Sequence, residues 1–350
     1  MIALIDKLEK SRALSKEEWI TLLRGRDEQT AAYLFERAQA VRKRIYGDRV
    51  FIRGLIEFTN YCKNDCFYCG IRCSNKKAAR YRLSEEQILS CCRKGYALGY
   101  RTFVLQGGED PYYTPQRMEE LILKIKGEYP DCALTLSVGE QSEETYRLWK
   151  EAGADRYLLR HETADEEHYS LLHPKKLTLS ARKQCLYTLK ELGYQVGCGF
   201  MVGSPYQSEE TLAEDLLFIH ELQPEMVGIG PFIPHRDTPF AKEPQGDLEL
   251  TLFLLGLVRL MLPAVLLPAT TALGTIHPEG REKGILAGAN VCMPNLSPEE
   301  VREKYALYNN KLSTGSEDAL HRSELAKRME RIGYRVVVAR GDPEKENQNV

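Results

Sequence analysis

The sequence has neither an excess of charge of one sign nor a long apolar run. Its 350 residues include 48 basic and 50 acidic side chains, so no basic field would draw nucleic acid to it. The most apolar stretch, residues 252–267, is interrupted by Arg259 and Pro263 and is too short to span a bilayer. We therefore expect no nucleic-acid or membrane partner, and a small molecule or metal complex as substrate.

The sequence also has no sign of export. Charged residues interrupt any candidate apolar core in residues 1–10, so we expect neither a signal peptide nor an N-terminal anchor. A reducing, cytoplasmic location is the expectation that follows. Ten cysteines in that compartment argue against a framework of disulfides, and they need another explanation.

Short β-like runs alternate with helical, charged stretches along most of the chain. Eight runs are found, at intervals of 22 to 49 residues, and each interval has room for the helix and return loop of a parallel connection. They are centred near Leu55, Val104, Leu136, Leu158, Gly197, Gly228, Pro268 and Val291. Helical patterns lie between them at 84–98, 115–129, 142–152 and 208–222. Eight such units favour an α/β fold, a complete (β/α)8 TIM barrel with an N-terminal helical extension.

The same pattern divides the chain into three segments. Residues 1–48 predict a helical lead-in, residues 49–310 the barrel, and residues 311–350 a C-terminal helical segment with a polar, frayed tail. Pro263 and Pro268 make the seventh strand the weakest prediction, since proline interrupts a ladder of hydrogen bonds. Gly99, Gly153 and Gly193 lie where helices are expected to end, as glycine C-caps do.

Three cysteines in one short loop, Cys62, Cys66 and Cys69, form the most specific motif. A structural zinc site closes its tetrahedron with four protein ligands, usually in two separated pairs, and this loop has no partner pair. Three thiolates can instead hold an iron-sulfur cubane and leave one iron open to a small chelating ligand. The spacing, with Tyr68 before the last cysteine and Gly70 after it, is typical of radical S-adenosylmethionine (SAM) enzymes.

The other seven cysteines are not expected to bind metal. Cys73 lies just past the motif, and a fourth ligand there would close the position that a substrate-binding cluster must leave open. The remaining six have apolar or helical contexts, where a free thiol acts as a small hydrophobe. They are Cys91, Cys92, Cys132, Cys185, Cys198 and Cys292.

Polar residues follow the predicted strands at their C-terminal ends, where a barrel of this kind has its active site. The glycines of residues 107–109 would let backbone groups approach a ligand, although such turns are also common in tight loops. Arg160 and Glu162 alternate with His161 and so leave their strand on one face. With Arg182 they could hold an amino-acid moiety, or they could form only a structural ion pair. His161 points the other way and is expected to be a core histidine.

Two further pairs of residues follow later strands. The hydroxyls of Thr270 and Thr271 suit recognition of anionic or cyanide-like acceptors, although threonine is also an ordinary strand residue. Tyr305 and Tyr308, at helical spacing after the eighth run, could close the floor of a cavity or pack as core.

Several longer stretches resemble the HydE family, the radical SAM maturases of FeFe-hydrogenase. They are residues 51–58, 80–82, 105–113, 156–163, 227–235, 268–271 and 288–291, and the resemblance covers about residues 51–308. It implies a complete eight-fold barrel in which the reduced cluster donates an electron to SAM, giving methionine and a 5'-deoxyadenosyl radical. It also implies a role in assembling the di-iron subcluster of the hydrogenase active site (H-cluster).

The resemblance further implies which residues surround each group. Cys62, Cys66 and Cys69 would hold one 4Fe-4S cluster. Positions around SAM correspond to Tyr68, Gly107, Gly108, Glu109, Arg160, Glu162 and Arg182. Positions around the substrate cavity correspond to Arg53, Thr270, Thr271, Met293, Tyr305 and Tyr308. The implied partners are a cysteine-bound iron carbonyl cyanide complex, other hydrogenase maturases, and an electron donor such as ferredoxin or flavodoxin.

One departure from the family and two alternative functions complete the prediction. Many HydE proteins carry three more cysteines near the C-terminus, and residues 311–322 have none, so no accessory cluster is expected. A radical SAM mutase resembling methylornithine synthase, with an amino-acid-derived substrate, would share the cysteine motif. A non-enzymatic iron-sulfur carrier or scaffold would not need SAM-binding strand ends.

Overall fold

The computed structural model describes residues 1–312 and 317–344. Three helices come first, α1 (Ile2–Ser11), α2 (Lys16–Arg24) and α3 (Glu28–Tyr46). The strands are β1 (Arg49–Ile52), β2 (Gly54–Thr59), β3 (Thr102–Gly107), β4 (Ala133–Ser137), β5 (Arg156–Leu158), β6 (Gln195–Cys198), β7 (Met201–Val202), β8 (Met226–Val227), β9 (Gly230–Pro231), β10 (Val291–Cys292) and β11 (Arg335–Val337). The other helices are α4 (Glu85–Ala97), α5 (Pro115–Glu128), α6 (Glu143–Glu151), α7 (Glu166–Leu172), α8 (Leu179–Glu191), α9 (Glu209–Leu222), α10 (Leu248–Met261), α11 (Thr271–Ile276), α12 (Gly280–Leu286), α13 (Glu299–Arg302) and α14 (Arg322–Arg331).

Local sequence accounts for where the outer helices begin and end. Ser84, Ser142 and Ser208 are N-caps whose side chains accept a hydrogen bond from the third residue of α4, α6 and α9. The glycines predicted to follow helices have positive φ, 88° at Gly99 and 112° at Gly153, a conformation that costs glycine little. The helices predicted at 84–98, 115–129, 142–152 and 208–222 are therefore confirmed as α4, α5, α6 and α9.

The strands form a parallel sheet of six, in the order β2-β3-β4-β5-β6-β8. Each neighbouring pair is parallel, as at Leu55 beside Val104 and Leu158 beside Gly197. A helix follows each of β3, β4 and β5, and all six residues of β2 are buried. The predicted α/β fold with a parallel sheet is confirmed, and the C-terminal ends of its strands meet at one edge.

Isolated parallel bridges continue this sheet from its last strand towards its first. Met226 pairs with Leu266, Pro268 with Val291, and Leu55 with Asn295. The seventh predicted run is present only as such bridges, because proline has no N–H to donate to a ladder. Closure of the complete eight-stranded barrel stays a prediction, which these bridges support.

A second, three-stranded parallel sheet in the order β10-β1-β11 joins the strand that follows the three N-terminal helices to the strand that follows α14. Sequence reasoning missed β11, a strand of three residues that follows α14. The three predicted segments stay a prediction. The frayed tail expected over residues 341–350 is wrong at its start, because Arg156 binds Gly341 O and the Asp342 carboxylate, and its part from residue 345 lies outside the described residues. Among the described residues, no helix is long and apolar enough to cross a membrane.

Candidate active site

The cysteine loop leaves the end of β2 and is closed at its base by two side chains. The Asn60 amide donates to Ala79 O and Lys304 O, at 2.9 and 2.7 Å. The Arg80 guanidinium donates to Ile71 O at 2.8 Å, and to Asn60 O. These contacts hold a long turn in place without regular secondary structure, because side chains satisfy its backbone groups.

The loop is also tied to neighbouring parts of the molecule. Phe67 N donates to Leu172 O at 3.0 Å, and Gly70 N donates to Leu307 O at 2.8 Å. A Cβ on Gly70 would lie 2.1 Å from Ala306 O, so only glycine fits after the last cysteine. The loop that carries the three thiols is therefore anchored from three sides of the same end of the sheet.

Cys62, Cys66 and Cys69 are all partly exposed in this loop. Burial raises the pKa of the Cys62 thiol, the pKa of Cys66 to about 12, and the pKa of Cys69 further. Thiolates here need a positive partner, which iron supplies. In the described part of the chain, no three His, Cys, Asp or Glu side chains converge on a single ion. In a cubane each thiolate binds a different iron, so this donor set fits a 4Fe-4S cluster.

Tyr68 is held by a histidine that sequence reasoning missed. The Tyr68 hydroxyl lies 3.1 Å from His173 Nε2, and His173 Nδ1 lies 3.0 Å from Tyr169 O. Burial, together with the charge of Arg182, lowers the pKa of His173 to about 3, so the ring is neutral. A carbonyl only accepts, so Nδ1 donates to Tyr169 O and the Tyr68 hydroxyl donates to Nε2. No sequence signal pointed to His173, because its partner is far away in the chain.

The turn after β3 lies directly against the cysteine loop. A Cβ on Gly108 would be 2.2 Å from Tyr61 O and 2.7 Å from Cys62 Cβ, so the two backbones touch here. Gly107 is similarly close to Thr59, at 2.7 Å from Cγ2. This close approach explains both glycines, and it brings β3 to the edge of the cysteine motif.

Glu109 extends this contact to the end of β4. Its carboxylate accepts from Glu140 N at 3.0 Å and forms an ion pair with Lys63 Nζ at 3.1 Å. Gly139 has a φ of 77°, and a Cβ there would lie 2.1 Å from Glu109 Cγ. Sequence reasoning did not use Gly139 and Glu140 as site residues, although they follow β4 just as the other polar residues follow their strands.

Arg160 and Glu162 leave β5 on one face, as their alternation predicted. Arg160 Nη2 lies 3.1 Å from Glu162 Oε2, yet neither atom has a well-formed hydrogen bond within residues 1–312 and 317–344. Both atoms are buried, and a buried polar group without a partner costs about 1–3 kcal/mol. A ligand with an ammonium and a carboxylate group would satisfy them, and the amino-acid moiety of SAM carries both groups.

Arg182 supports this pair from α8. Its guanidinium donates to Arg160 O at 2.7 Å and forms an ion pair with Glu140 Oε1. Both contacts are with protein atoms, and they hold the end of β5 against the end of β4. Its contacts describe a side chain that positions Arg160 and Glu162.

His161 is buried on the opposite face of β5, as predicted for a core histidine. Its Nδ1 accepts from Gly199 N at 3.2 Å, and its Nε2 lies 3.3 Å from Asp215 Oδ1. Burial keeps the pKa of His161 well below its ordinary value, so the ring is neutral. The next residue, Glu162, has a φ of 67°, which is uncommon for a residue with a side chain.

A small cavity of about 120 Å³ lies among the strands beside Arg160. Four predicted site residues line it, namely Arg53, Arg160, Thr270 and Met293. In the described part of the chain, Arg53 Nε and Nη2 and the hydroxyls of Thr135 and Thr270 have no hydrogen-bond partner. Free donors from a buried guanidinium and two hydroxyls suit a small anionic group.

The chain matches known proteins along most of its length. The model of the Radical SAM superfamily matches residues 56–219. The [FeFe] hydrogenase maturase subunit HydE of Thermotoga maritima is 47% identical over 315 residues, which is 90% of this chain and 89% of that protein. The chain belongs to the HydE family. It is thus a radical SAM enzyme, and the family implies a 4Fe-4S cluster and SAM at this site.

The HydE-family chain is also similar to a methylornithine synthase. The 3-methylornithine synthase of Methanosarcina acetivorans is 30% identical over 330 residues, 94% of this chain and 92% of that protein. A crystal structure of methylornithine synthase superposes with a TM-score of 0.85 and 29% identity, covering 95% of this chain and 97% of the other. The two kinds of enzyme therefore share one architecture.

Three of the substrate positions expected from the HydE resemblance lie outside the cavity lining. The Thr271 hydroxyl donates to Glu317 Oε2 at 2.9 Å, and Tyr305 is buried with Lys311 Nζ 5.3 Å from its ring centroid. Tyr305 and Tyr308 both lie beyond α13, which ends at Arg302, so their three-residue spacing does not fall on a helix. The backbone of this stretch instead bonds to other loops, since Leu307 O accepts from Gly70 N at 2.8 Å and Asn309 N donates to Pro234 O at 3.1 Å.

Sequence reasoning also missed two polar residues of the cavity. Thr135 and Gln106 lie inside the lining, on β4 and β3. Each alternates along its strand with a leucine of the opposite face, Leu105 on β3 and Leu134 on β4, which is buried in the outer core. A polar side chain in an otherwise apolar strand run was the signal that could have found them.

Proposed function

We propose that this HydE-family protein cleaves SAM reductively to a 5'-deoxyadenosyl radical. We further propose that it acts in assembling the di-iron subcluster of the FeFe-hydrogenase active site, on a cysteine-bound iron carbonyl cyanide precursor. The observation that carries this proposal is that three features lie together at one end of the sheet. Arg160 lines the cavity beside Arg53 and pairs with Glu162, and Glu162 lies near the thiol loop, because its charge adds to burial in raising the pKa of Cys66 and Cys69.

The chain's own residues have separable roles in this proposal. Cys62, Cys66 and Cys69 hold the cluster, which when bound supplies the electron for SAM cleavage. The Glu162 carboxylate binds the ammonium of SAM and the Arg160 guanidinium binds its carboxylate.

The turn at Gly108 and Glu109 supports the same region. The absence of a side chain at Gly108 lets the backbone after β3 pack directly against the cysteine loop. Glu109 fixes the end of β4 through Glu140 N, and the Tyr68–His173 hydrogen bond fixes the ring that precedes the last cysteine. These residues orient ligands and exclude water, and none of them needs to transfer a proton.

The cavity supports a small substrate with an anionic end. A volume of about 120 Å³ is far below the roughly 300–1,000 Å³ of typical drug-sized sites. Arg53 is buried, and two of its nitrogens have no partner among the residues that the structure describes, so an anion there would gain charge-assisted hydrogen bonds in a poorly solvated place. Arg160 borders both this cavity and the proposed SAM face, which would bring substrate and SAM close together.

A second candidate function is the mutase chemistry of an amino-acid-derived substrate. The TM-score of 0.85 to a methylornithine synthase favours it, because the same barrel would serve. The identity of 47% to HydE against 30% to 3-methylornithine synthase favours the maturase. A non-enzymatic carrier has less support, since it would not need a polar face such as Arg160 and Glu162.

The remaining partners follow from this proposal. Reductive cleavage needs a one-electron donor such as ferredoxin or flavodoxin, and the precursor would come from another hydrogenase maturase. We place the reaction in the cytoplasm, in line with ten cysteines in a chain that needs reduced thiols. One cluster is proposed, because residues 311–322 carry no cysteine for a second.

The test is anaerobic reconstitution followed by incubation with SAM and dithionite, with and without the synthetic iron-cysteine complex. We expect 5'-deoxyadenosine and methionine, and a new adenosyl product that depends on the complex, both read by mass spectrometry. Arg53→Gln should keep SAM cleavage and lose the response to the complex. Arg147→Gln, a change of an exposed side chain on α6, is the matched control and should behave as the wild type.

Three results would contradict the proposal in different ways. No SAM cleavage by a protein with full cluster content would remove the radical chemistry. Cleavage that ignores the complex would leave a radical SAM enzyme with another substrate. Conversion of lysine with cleavage of SAM would assign the mutase function instead.

A further inference from the structure

Six basic side chains surround the outer side of the cysteine loop. We call them the basic rim: Lys63, Lys76, Lys77, Lys175, Lys176 and Arg236, all exposed. They come from three segments, the cysteine loop itself, the connection between α7 and α8, and the loop after β9.

Direct contacts show that the three segments form one surface. Lys176 Nζ donates to Lys63 O at 3.2 Å, which joins the α7–α8 connection to the cysteine loop. Lys77 Nζ lies 2.9 Å from Asp237 Oδ1, which joins the cysteine loop to the loop after β9. Between these two contacts lies Cys73, the exposed residue just beyond the cluster ligands.

The basic rim is positively charged, whereas the whole chain has a small negative net charge. The chain carries a formal net charge of −2, whereas residues 61–80 hold five Lys and Arg against a single Asp. That Asp, Asp65, is already paired with Arg72 at 2.6 Å. In the part of the chain that the structure describes, Lys76 and Lys175 form no ion pair, so their charges are available to a partner. The positive field is therefore local to the cysteine loop.

The position of this field points to an electron carrier. A partner docked on the basic rim touches the loop that holds Cys62, Cys66 and Cys69, and those thiols are themselves partly exposed. A nucleic acid or an anionic membrane would also be attracted by lysines, but neither has a use for contact with a redox centre. Without the six residues of the basic rim, the chain holds 42 basic against 50 acidic side chains, so the rest of the molecule is acidic and would repel a polyanion that extends beyond the rim.

We propose that the basic rim is the docking surface for a small acidic protein that carries one electron at a time. This inference rests on the proposed function, which requires a reductant. In the step it serves, one electron leaves the reduced carrier and enters the cluster. The carrier is oxidised by one electron, the cluster is reduced by one electron, and no bond or proton is transferred.

The test uses a charge reversal that leaves the folded protein undisturbed. Lys76→Glu with Lys175→Glu changes two exposed side chains that form no ion pair with residues 1–312 or 317–344; Lys76 Nζ has one contact with a backbone carbonyl, Cys73 O at 3.5 Å. Lys94→Glu with Lys327→Glu is the matched control, because it makes the same change of net charge on the exposed sides of α4 and α14. Both variants and the wild type are reconstituted, and their binding to an acidic flavodoxin is measured by titration calorimetry at several salt concentrations.

We expect the rim variant to bind flavodoxin about tenfold more weakly or worse, with a smaller dependence on salt. The control should bind as the wild type does. SAM cleavage driven by reduced flavodoxin should fall in the rim variant only. Cleavage driven by dithionite should be equal in all three proteins, since none of the changed lysines contacts SAM or the cluster in this proposal.

Each remaining outcome overturns one statement. Equal flavodoxin binding by the rim variant and the wild type, or equal weakening in both variants, would remove the basic rim as the docking surface. Binding of a single-stranded RNA oligonucleotide that is lost in the rim variant, with flavodoxin binding unchanged, would assign the rim to RNA. Failure of dithionite-driven cleavage in the wild type would instead contradict the proposed function. The flavodoxin-binding result would still decide whether the basic rim is a docking surface, because it does not depend on cleavage.

Discussion

Burial without a counter-charge disfavours the thiolate form of each cysteine in the loop. The pKa of Cys66 rises to about 12 for this reason, and that of Cys62 also rises. An iron-sulfur cluster offsets this penalty because each iron is a positive centre with an affinity for soft sulfur. A hydroxyl in place of one thiol would offer neither a soft ligand nor an easily formed anion.

We predict that Cys69→Ser loses the cluster. Iron and sulfide per chain after anaerobic reconstitution should fall to near background, and SAM cleavage should fall with them, because a cubane held by two thiolates is not retained. Cys73→Ser is the matched control, since Cys73 is an exposed thiol in the same loop. It should keep the iron content and the EPR spectrum of the wild type. Full cluster content in Cys69→Ser, or lost iron in Cys73→Ser, would refute the ligand assignment.

Sequence predicted those site residues whose relation is local. The spacing of Cys62, Cys66 and Cys69 lies within one loop, and the alternation of a strand puts Arg160 and Glu162 on one face. The states of Thr135 and His173 are not local. The Thr135 hydroxyl has no partner within the described ranges, and His173 accepts from Tyr68, only because of how distant strands and helices pack.

At the scale of elements, the cysteine loop depends on its contact with the end of β3. Gly108 lies between them, and a single methyl group there would meet Tyr61 O at 2.2 Å and Cys62 Cβ at 2.7 Å. Both neighbours belong to the loop, and the first is backbone. Relief of such an overlap requires the loop to move away from the strand.

We therefore predict that Gly108→Ala destabilises the protein by about 1–3 kcal/mol and lowers its cluster content. Gly127→Ala is the matched control, because Gly127 lies in α5 and its Cβ would meet nothing within 4 Å. That change should stabilise the protein by up to about 1 kcal/mol, since alanine favours a helix. Urea unfolding of the apo-protein and iron content measure the two effects. Equal cluster content in both variants would show that the contact does not position the loop.

Elements with strong periodicity or clear caps were predictable, and elements set by tertiary contacts were not. β3 and β4 are apolar runs bounded by turns, and α5 begins with a proline at a capped end. The stretch around Tyr305 and Tyr308 has helical spacing but no helix, because hydrogen bonds to other loops override the local preference. Short strands such as β11 carry too few residues to show a period.

At the scale of the whole molecule, the C-terminal segment fastens across the end of the sheet opposite the cysteine loop. Arg156 of β5 is fully buried, and its guanidinium donates to Arg340 O, Gly341 O and the Asp342 carboxylate, at 2.9, 3.1 and 2.7 Å. Gln195 of β6 also donates to this carboxylate, at 2.8 Å. One carboxylate thus compensates a buried cation and joins two strands to the end of the described chain.

We predict that Asp342→Ala lowers the free energy of unfolding by about 1–3 kcal/mol at pH 7, because it leaves the buried Arg156 with fewer acceptors. The lower half of that range is expected, since the Asp342 side chain is 38% exposed and water screens the pair. Asp48→Ala is the matched control, as Asp48 pairs with Arg335 at the surface and should cost less than about 1 kcal/mol. Urea unfolding of both variants measures the difference.

The stability that Asp342 contributes should depend on pH, because the pKa of its carboxyl group is lowered in the folded protein. Burial opposes ionisation of Asp342, but hydrogen bonds from Gln195 and Arg156 prevail and lower its pKa to about 2. A carboxyl group whose pKa is lowered in the folded state contributes stability at pH values above its ordinary pKa of 3.8. This contribution is lost as the pH falls through about 2. The difference in unfolding free energy between wild type and Asp342→Ala should therefore be constant above about pH 5 and shrink progressively below pH 4. A difference that stays constant down to pH 3 would mean that Asp342 acts through packing and not through its charge.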